Sequence, residues 1–108
     1  MIAEAPTAQA VFRPDKMGKA DLASGAHLFC GLNAFEPGQS HAAHVHANQD
    51  KLYVVLDGAA DVTVAGETRR VLAGGVALAG AGIEHGIENP GPGRLVVLVV
   101  MSPPPSSK

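Results

Sequence analysis

Residues 38–51 read GQSHAAHVHANQDK and continue directly into the strand-like run LYVVL at residues 52–56. Three of the five histidines in the chain fall within this stretch, which follows a Pro-Gly turn. His44 and His46 are two residues apart, so an extended backbone places both side chains on one face. Two imidazoles at this spacing can bind one transition metal ion. The stretch therefore predicts part of a metal site at the entrance to a strand.

A further histidine, His85, lies far along the chain in the segment GIEHGIEN at residues 82–89. If the fold returns His85 to the first pair, the three imidazoles form a single site. Proteins do bind metals through three histidines. The function therefore depends on whether the second half of the chain folds back onto the first.

The composition is typical of a small all-β protein. Apolar residues make up 46% of the 108 positions, and 13 glycines and 8 prolines separate short runs of valine, leucine and alanine. Many short strands joined by turns produce this pattern, and the length allows one domain with a modest core. No segment shows a useful helical period, so we expect about eight strands in a barrel or sandwich.

Charge, hydropathy and cysteine content argue against several classes of function. The formal net charge of −2 gives no electrostatic attraction to nucleic acid or to an anionic membrane. The longest apolar run, at residues 95–101, is far shorter than the ~20 residues that cross a bilayer, so it predicts a buried strand. The N-terminus lacks the basic start of a secretory signal. The single cysteine, Cys30, cannot form an internal disulfide, and a cytoplasmic location is predicted.

Turn signals divide the chain into strands and connections. Residues 1–25 are expected to form an N-terminal extension. It has an extended piece at 11–14, which Pro14 confines to a sheet edge or an oligomer contact, and a loop at 15–25. The Pro/Ser tail at 102–108 is expected to stay outside the core. The predicted strands are 26–35, 51–56, 60–65, 68–72, 76–79 and 94–101.

The spacing of glycines and histidines resembles the two sequence motifs of the cupin family. The first motif is G-x5-H-x-H-x3,4-E-x6-G, and the second is G-x5-P-x-G-x2-H-x3-N. The residues that match the first are Gly38, His44, His46 and Gly58, with Lys51 at the position of the glutamate. The residues that match the second are Gly74, Gly82, His85 and Asn89, with Gly80 at the position of the proline.

The resemblance covers roughly residues 26–101 and implies a small jelly-roll β-barrel. It also implies that His44, His46 and His85 point inward and bind one divalent transition metal, such as Zn, Fe, Mn or Ni. The glutamate ligand of the family is not carried over, because Lys51 stands in its place.

Lys51 raises several alternatives for the site. An ammonium group a few ångströms from a divalent cation is repelled by roughly 4–8 kcal/mol at an effective dielectric of about 20. Lys51 is therefore expected to pair with Asp50 or Asp57, to lose its proton through a lowered pKa, or to join the histidines in an anion pocket without metal. A local bulge would instead present Asp50 as a carboxylate ligand, with Gln49 as a weaker oxygen donor. We favour the metal site of three histidines.

Other side chains are secondary candidates. We expect His41 to be a fourth ligand, a partner of the ligands or an exposed loop histidine. We expect His27 either to face the pocket mouth or to be an ordinary strand histidine. Tyr53 brings a hydroxyl into the pocket or is an ordinary strand aromatic, while Asn89 is expected to hold its turn. The apolar pocket wall is expected to draw on Phe29, Phe35, Leu52, Val54, Leu56, Val62, Val64 and Leu98.

These residues favour a metal-dependent enzyme that acts on a small organic substrate. Isomerisation and oxygenation are the reaction types that the resemblance implies, and Lys51 would hold a substrate carboxylate or transfer a proton. One alternative is a binding module that holds a sugar or an anion without metal, and another is a structural dimer with a vestigial site. A homodimer is expected in each case, because small barrels readily pair a sheet edge or face.

Overall fold

Nine β-strands and one 3-10 turn, Pro6–Gln9, make up the regular structure of the computed structural model, which describes residues 1–105. The all-β class expected from the sequence is confirmed. Within these residues, no helix is long and apolar enough to span a membrane. The strands are β1 Gly18–Ser24, β2 Phe29–Phe35, β3 Ser40–His44, β4 Asp50–Asp57, β5 Ala59–Val64, β6 Glu67–Leu72, β7 Val76–Ala79, β8 His85–Glu88 and β9 Leu95–Ser102.

The strands form two antiparallel sheets with the core between them. The larger sheet has the strand order β1-β2-β9-β4-β7, and the smaller has the order β3-β8-β5-β6. The apolar run predicted to be a buried strand is β9, which lies between β2 and β4 at the centre of the larger sheet. Strands far apart in sequence, such as β3 and β8, become neighbours. This is the jelly-roll arrangement that the motifs predicted.

The core follows the two-residue alternation of the strands. Along β4, the side chains of Lys51, Tyr53 and Val55 are buried, whereas the residues between them stay partly accessible. Full burial of a side chain the size of valine or leucine contributes about 1.5–3 kcal/mol. The core residues are Met17, Phe35, Tyr53, Val55, Ala60, Val62, Ile87, Leu95, Val97, Val99 and Met101.

One end of the barrel interior is closed by the turn that follows β8. Asn89 is 2% exposed, and its Nδ2 donates to the carbonyls of Phe35 and Gly93 at 3.0 and 2.9 Å. Its Oδ1 accepts the Gly91 N–H at 2.8 Å. The prediction that Asn89 holds this turn is confirmed.

The outer surfaces of the two sheets differ in polarity. On the larger sheet, the strand register forms two apolar rows, which are Leu32-Leu98-Val54-Val76 and Cys30-Val100-Leu52-Leu78. Val76 and Leu78, on the edge strand β7, are 60% and 62% exposed. The outer surface of the smaller sheet instead carries polar side chains, including the ion pair between Asp61 and Arg70. The apolar face of the larger sheet is therefore covered at Leu32, which is 1% exposed, and open at its β7 edge.

The N-terminal region differs from the sequence-based expectation. The loop predicted at 15–25 is wrong, because β1 occupies Gly18–Ser24 and pairs with β2. Its sequence GKADLAS has little strand propensity of its own, so the strand depends on its pairing with β2. Residues 11–14 have no regular structure, and the Val11 carbonyl lies against Gly18.

The C-terminal tail was predicted at 102–108. Ser102 is the last residue of β9, and residues 103–105 have no regular secondary structure. The rest of the predicted tail, 106–108, lies outside the described residues.

Candidate metal and ligand site

The fold brings the three predicted metal ligands together. His44 ends β3, His85 begins β8, and the two are direct partners in the β3–β8 pair. His46 follows two residues after His44, and one ring nitrogen from each of the three histidines lies within 4.8 Å of the others. Small side-chain adjustments would let all three nitrogens reach one shared zinc ion at the usual Zn–N distance of ~2.0–2.1 Å.

Backbone hydrogen bonds orient two of these rings. The Nδ1 of His44 donates to the Ala42 carbonyl at 2.8 Å, and the Nδ1 of His85 donates to the Ile83 carbonyl at 2.9 Å. A carbonyl can only accept, so Nδ1 carries the proton and Nε2 keeps its lone pair. Both Nε2 atoms are buried and have no hydrogen-bond partner within residues 1–105. Metal-ligating histidines show this pattern, with the other ring nitrogen bound to a carbonyl or carboxylate.

The surroundings favour neutral imidazoles at two of the three histidines. Burial is the main cause that lowers the pKa of His44 and of His46, and the charge of Lys51 lowers both further. The hydrogen bond to Ala42 partly opposes this effect at His44. Because neutral imidazole is the form that binds a metal, this donor set fits a divalent transition metal.

A cavity of about 670 Å³ opens beside the histidines. Its volume lies within the range of small-molecule sites. Strands β1 and β2 contribute Lys19, Asp21, Phe29 and Asn33 to its wall. The other polar residues that line it are His41, His44, His46, Gln49 and Lys51.

The predicted apolar wall is largely wrong. Phe29 lines the cavity as expected, but Phe35 and Val62 belong to the closed core. Val64 packs against that core. The remaining expected residues lie outside the lining, on the outer surface of the larger sheet, and are Leu52, Val54, Leu56 and Leu98.

Lys51 points into the cavity and is 3% exposed. Its Nζ lies 5.2 Å from the centroid of the Tyr53 ring, within the range of a cation–π contact. Burial, with a smaller contribution from Lys19, lowers the pKa of Lys51 to about 8, so the charged form predominates at neutral pH. In the part of the chain that the structure describes, Lys51 forms no ion pair with a carboxylate. The expected pairing with Asp50 or Asp57 is therefore wrong.

Asp50 supports the site from outside it. Its Oδ1 accepts the Ala81 N–H at 2.9 Å, and its side chain lies outside the group of three histidines. The alternative in which Asp50 is a ligand is therefore wrong. Gln49 does line the cavity, but its Nε2 donates to the Pro103 carbonyl at 3.0 Å.

Two other histidines have separate positions. His41 lines the cavity with its ring centroid 4.3 Å from that of His44, and its Nδ1 is buried without a hydrogen-bond partner among residues 1–105. Burial, reinforced by the charge of Lys51, lowers the pKa of His41 to about 3. His27 is exposed in the bend before β2 and lies outside the cavity lining. His41 therefore belongs to the pocket, whereas His27 does not.

Tyr53 behaves as a core aromatic. Its ring centroid lies 6.1 Å from that of His85, and its hydroxyl is buried without a hydrogen-bond partner in the described residues. Burial raises the pKa of Tyr53. The residue lies outside the cavity lining, so the interpretation as an ordinary strand aromatic fits better.

Sequence reasoning missed two charged residues of the cavity, Lys19 and Asp21. Both lie on β1, in the segment that was predicted to be a loop. The signal was their two-residue spacing, which places both side chains on one face of a strand.

Known proteins confirm the family that the motifs indicated. The family model described as Cupin domain matches residues 31–101. An uncharacterized protein of Streptomyces coelicolor is 41% identical over 80 residues, which cover 74% of each chain.

Solved structures share the same fold. TT1209 from Thermus thermophilus is 33% identical, with a TM-score of 0.91 over 97% of this chain and 100% of that one. A predicted oxalate decarboxylase from Thermotoga maritima is 26% identical, with a TM-score of 0.75 over 80% of this chain and 79% of that one. The chain belongs to the cupin family.

Proposed function

We propose that this cupin is a metal-dependent protein in which His44, His46 and His85 hold a divalent transition metal beside a small-molecule cavity. The observation that carries the proposal is the pair of buried, unpartnered Nε2 atoms on His44 and His85, found among residues 1–105. Their protonated Nδ1 atoms are bound to backbone carbonyls, which leaves the Nε2 lone pairs available.

The proposed activity is Lewis-acid isomerisation or oxygenation of a small organic substrate. A divalent metal held by three neutral histidines supplies positive charge and open coordination positions when it is bound. Lys51 is the proposed catalytic residue of the chain itself. A lysine whose pKa lies near 8 can donate or accept a proton close to neutral pH. The similarity to a predicted oxalate decarboxylase supports a small organic acid as the type of substrate.

Metal analysis tests the proposal directly. The protein is purified without chelator, and its metal content is measured by elemental analysis before and after reconstitution with zinc, iron, manganese and nickel salts. We expect about one equivalent in the wild type and almost none in His44→Ala/His46→Ala. His27→Ala is the matched control, because His27 is exposed and lies outside the cavity. Less than a tenth of an equivalent in the reconstituted wild type would reject the metal site.

The second candidate function is a binding protein that holds an anion or a sugar without metal. The buried ammonium of Lys51 favours this alternative, because it lines the cavity and has no carboxylate partner among the described residues. A protein that takes up no metal but binds a small anion through Lys51 would establish it.

We also propose that the protein is a cytoplasmic homodimer that pairs through the outer surface of the larger sheet. The two apolar rows on that surface end at Val76 and Leu78, which are exposed on β7. Cys30 is a free thiol, which suits a reducing compartment. Light scattering after size exclusion should show a dimer for the wild type and a monomer for Leu78→Glu. Arg69→Glu, on the smaller sheet, should remain dimeric.

A further inference from the structure

Lys51 is a buried cation that forms no ion pair with a carboxylate within residues 1–105. It is 3% exposed, and its ammonium group faces the Tyr53 ring at 5.2 Å. Removing an ammonium group from water is unfavourable unless an anion or several acceptors replace the lost hydration. The fold nevertheless places this group in the wall of an open cavity, where a ligand can reach it. An anionic ligand would supply the missing charge.

A second ammonium group, that of Lys19 on β1, lines the same cavity. Its charge acts on Lys51, whose pKa it helps to lower. Asp21 is the one acidic side chain in the lining among the described residues, and it is exposed. Because solvent screens the exposed charges of Asp21 and Lys19 more strongly than the buried charge of Lys51, Lys51 makes the inner part of the cavity positive.

The lining fits a carboxylate better than a phosphate. Among residues 1–105 it contains no arginine and no helix N-terminus, which are frequent components of phosphate sites. Asn33 is 7% exposed, lines the cavity and is the register partner of Lys19. Two ammonium groups and one amide provide donors for a singly charged group with two acceptor oxygens.

The histidine group lies within electrostatic range of the same ammonium. Lys51, His44 and His46 line the same cavity. A metal ion and Lys51 would repel each other across this space. An anion between them would be attracted by both, so the ligand would relieve the repulsion.

We infer that the cavity binds a small 2-hydroxy acid, with its carboxylate on Lys51 and its hydroxyl oxygen at the three histidines. The inference rests on the proposed function, because the hydroxyl oxygen is assigned to the metal position. Lys19 at the cavity wall adds a weaker, solvent-exposed contact to the carboxylate.

Calorimetry with two matched probes tests this inference. Glycolate and glycolamide share a hydroxyl group and nearly the same size, but only glycolate carries a negative charge. We expect the zinc-loaded wild type to bind glycolate at least tenfold more tightly than glycolamide. Lys51→Met should remove most of that preference, and Lys19→Met should reduce it less. Lys16→Met is the control that should change nothing, since Lys16 is exposed outside the cavity.

The outcomes separate this inference from the metal proposal. Equal binding of the two probes, a preference that survives in a folded Lys51→Met variant, or tighter binding of inorganic phosphate would each overturn the carboxylate site. Thermal unfolding of each variant shows whether it is folded. If the wild type takes up no metal yet still prefers glycolate through Lys51, the proposed function and the hydroxyl contact fail, while the carboxylate contact stands.

Discussion

The two ends of the barrel interior are built from the same strands but differ in whether their buried polar groups have hydrogen-bond partners. Along β4, Lys51 lies at the open end and Val55 lies nearer the closed end, while β8 begins with His85 and leads to Asn89. At the closed end, the buried polar side chain of Asn89 makes three hydrogen bonds. At the open end, buried ring nitrogens of His44 and His85 have no partner within the described residues.

This difference separates stability from function. A buried polar group without a partner destabilises the folded state, typically by about 1–3 kcal/mol. The closed end lacks this destabilisation because Asn89 is hydrogen-bonded. The open end has it, at ring nitrogens beside a candidate ligand cavity. Substitutions at the closed end should therefore destabilise the protein, and substitutions at the open end should alter binding or even increase stability.

The largest expected effect is at Phe35, which is fully buried at the closed end. Phe35→Ala removes a core aromatic and leaves a cavity, so the free energy of unfolding should fall by about 3–5 kcal/mol. Urea titration followed by circular dichroism measures the change. Phe29→Ala is the matched variant, because Phe29 lies on the same strand but at the open, partly exposed end. A loss for Phe29→Ala as large as that for Phe35→Ala would contradict the contrast between the ends.

Substitution of Lys51 should change the free energy of unfolding in the opposite direction. Lys51→Met replaces a buried ammonium with an apolar chain of similar length, so the metal-free protein should gain about 1–3 kcal/mol of stability. The same variant should bind zinc more tightly, because the nearby positive charge is gone. Unfolding in urea with chelator present and competition with a zinc indicator measure the two effects. Lower stability in Lys51→Met would show that the ammonium has a stabilising partner.

Substitution of Tyr53 should give a smaller gain in stability. Tyr53→Phe removes a buried hydroxyl that has no hydrogen-bond partner among the described residues, while the ring remains in place. The free energy of unfolding should rise by about 1 kcal/mol or less. A clear loss would mean that the hydroxyl binds an ordered water or another group.

Acidification should also destabilise the metal-free protein, by an amount that grows as the pH falls. Burial lowers the pKa of His41 to about 3 and also lowers the pKa of His44 and His46, whereas an unfolded histidine titrates near ~6.5. Between these values the unfolded chain binds more protons than the folded chain, so stability falls as the pH drops below 6.5 toward 3. The unfolding midpoint of chelator-treated protein should decline over this window. The decline should be shallower in His41→Gln, and an equal slope in both proteins would exclude His41 as its source.

Much of the site could be predicted because it depends on local spacing. The histidine motif and the turn glycines indicated the barrel and the three histidines that it brings together. The inward position of Lys51 also follows from the motif. By the same alternation, Leu52 and Val54 should have been predicted on the outer face, so the error in the pocket wall was avoidable.

Other features depend on contacts that no local pattern shows. Strand β1 has weak intrinsic propensity and exists through its pairing with β2, so Lys19 and Asp21 were missed. Asp50 was assigned as a possible ligand from spacing alone. Its carboxylate instead accepts a backbone N–H from Ala81, a residue far along the chain.

The hydrogen bond of Asp50 has a consequence for how the protein tolerates changes in length. Gly82 N–H also donates to the His46 carbonyl at 2.9 Å, so the turn before His85 is held at two points by the segment after His44. An insertion of a single residue at 47–49 would shift Asp50 relative to His46, so the two hydrogen bonds could no longer form together. The histidines would then move apart. The exposed hairpin at Ala65 and Gly66 is tied to the same turn, because the Ala65 N–H donates to the Glu84 carbonyl at 2.9 Å, so an insertion before Ala65 should disturb His85 as well.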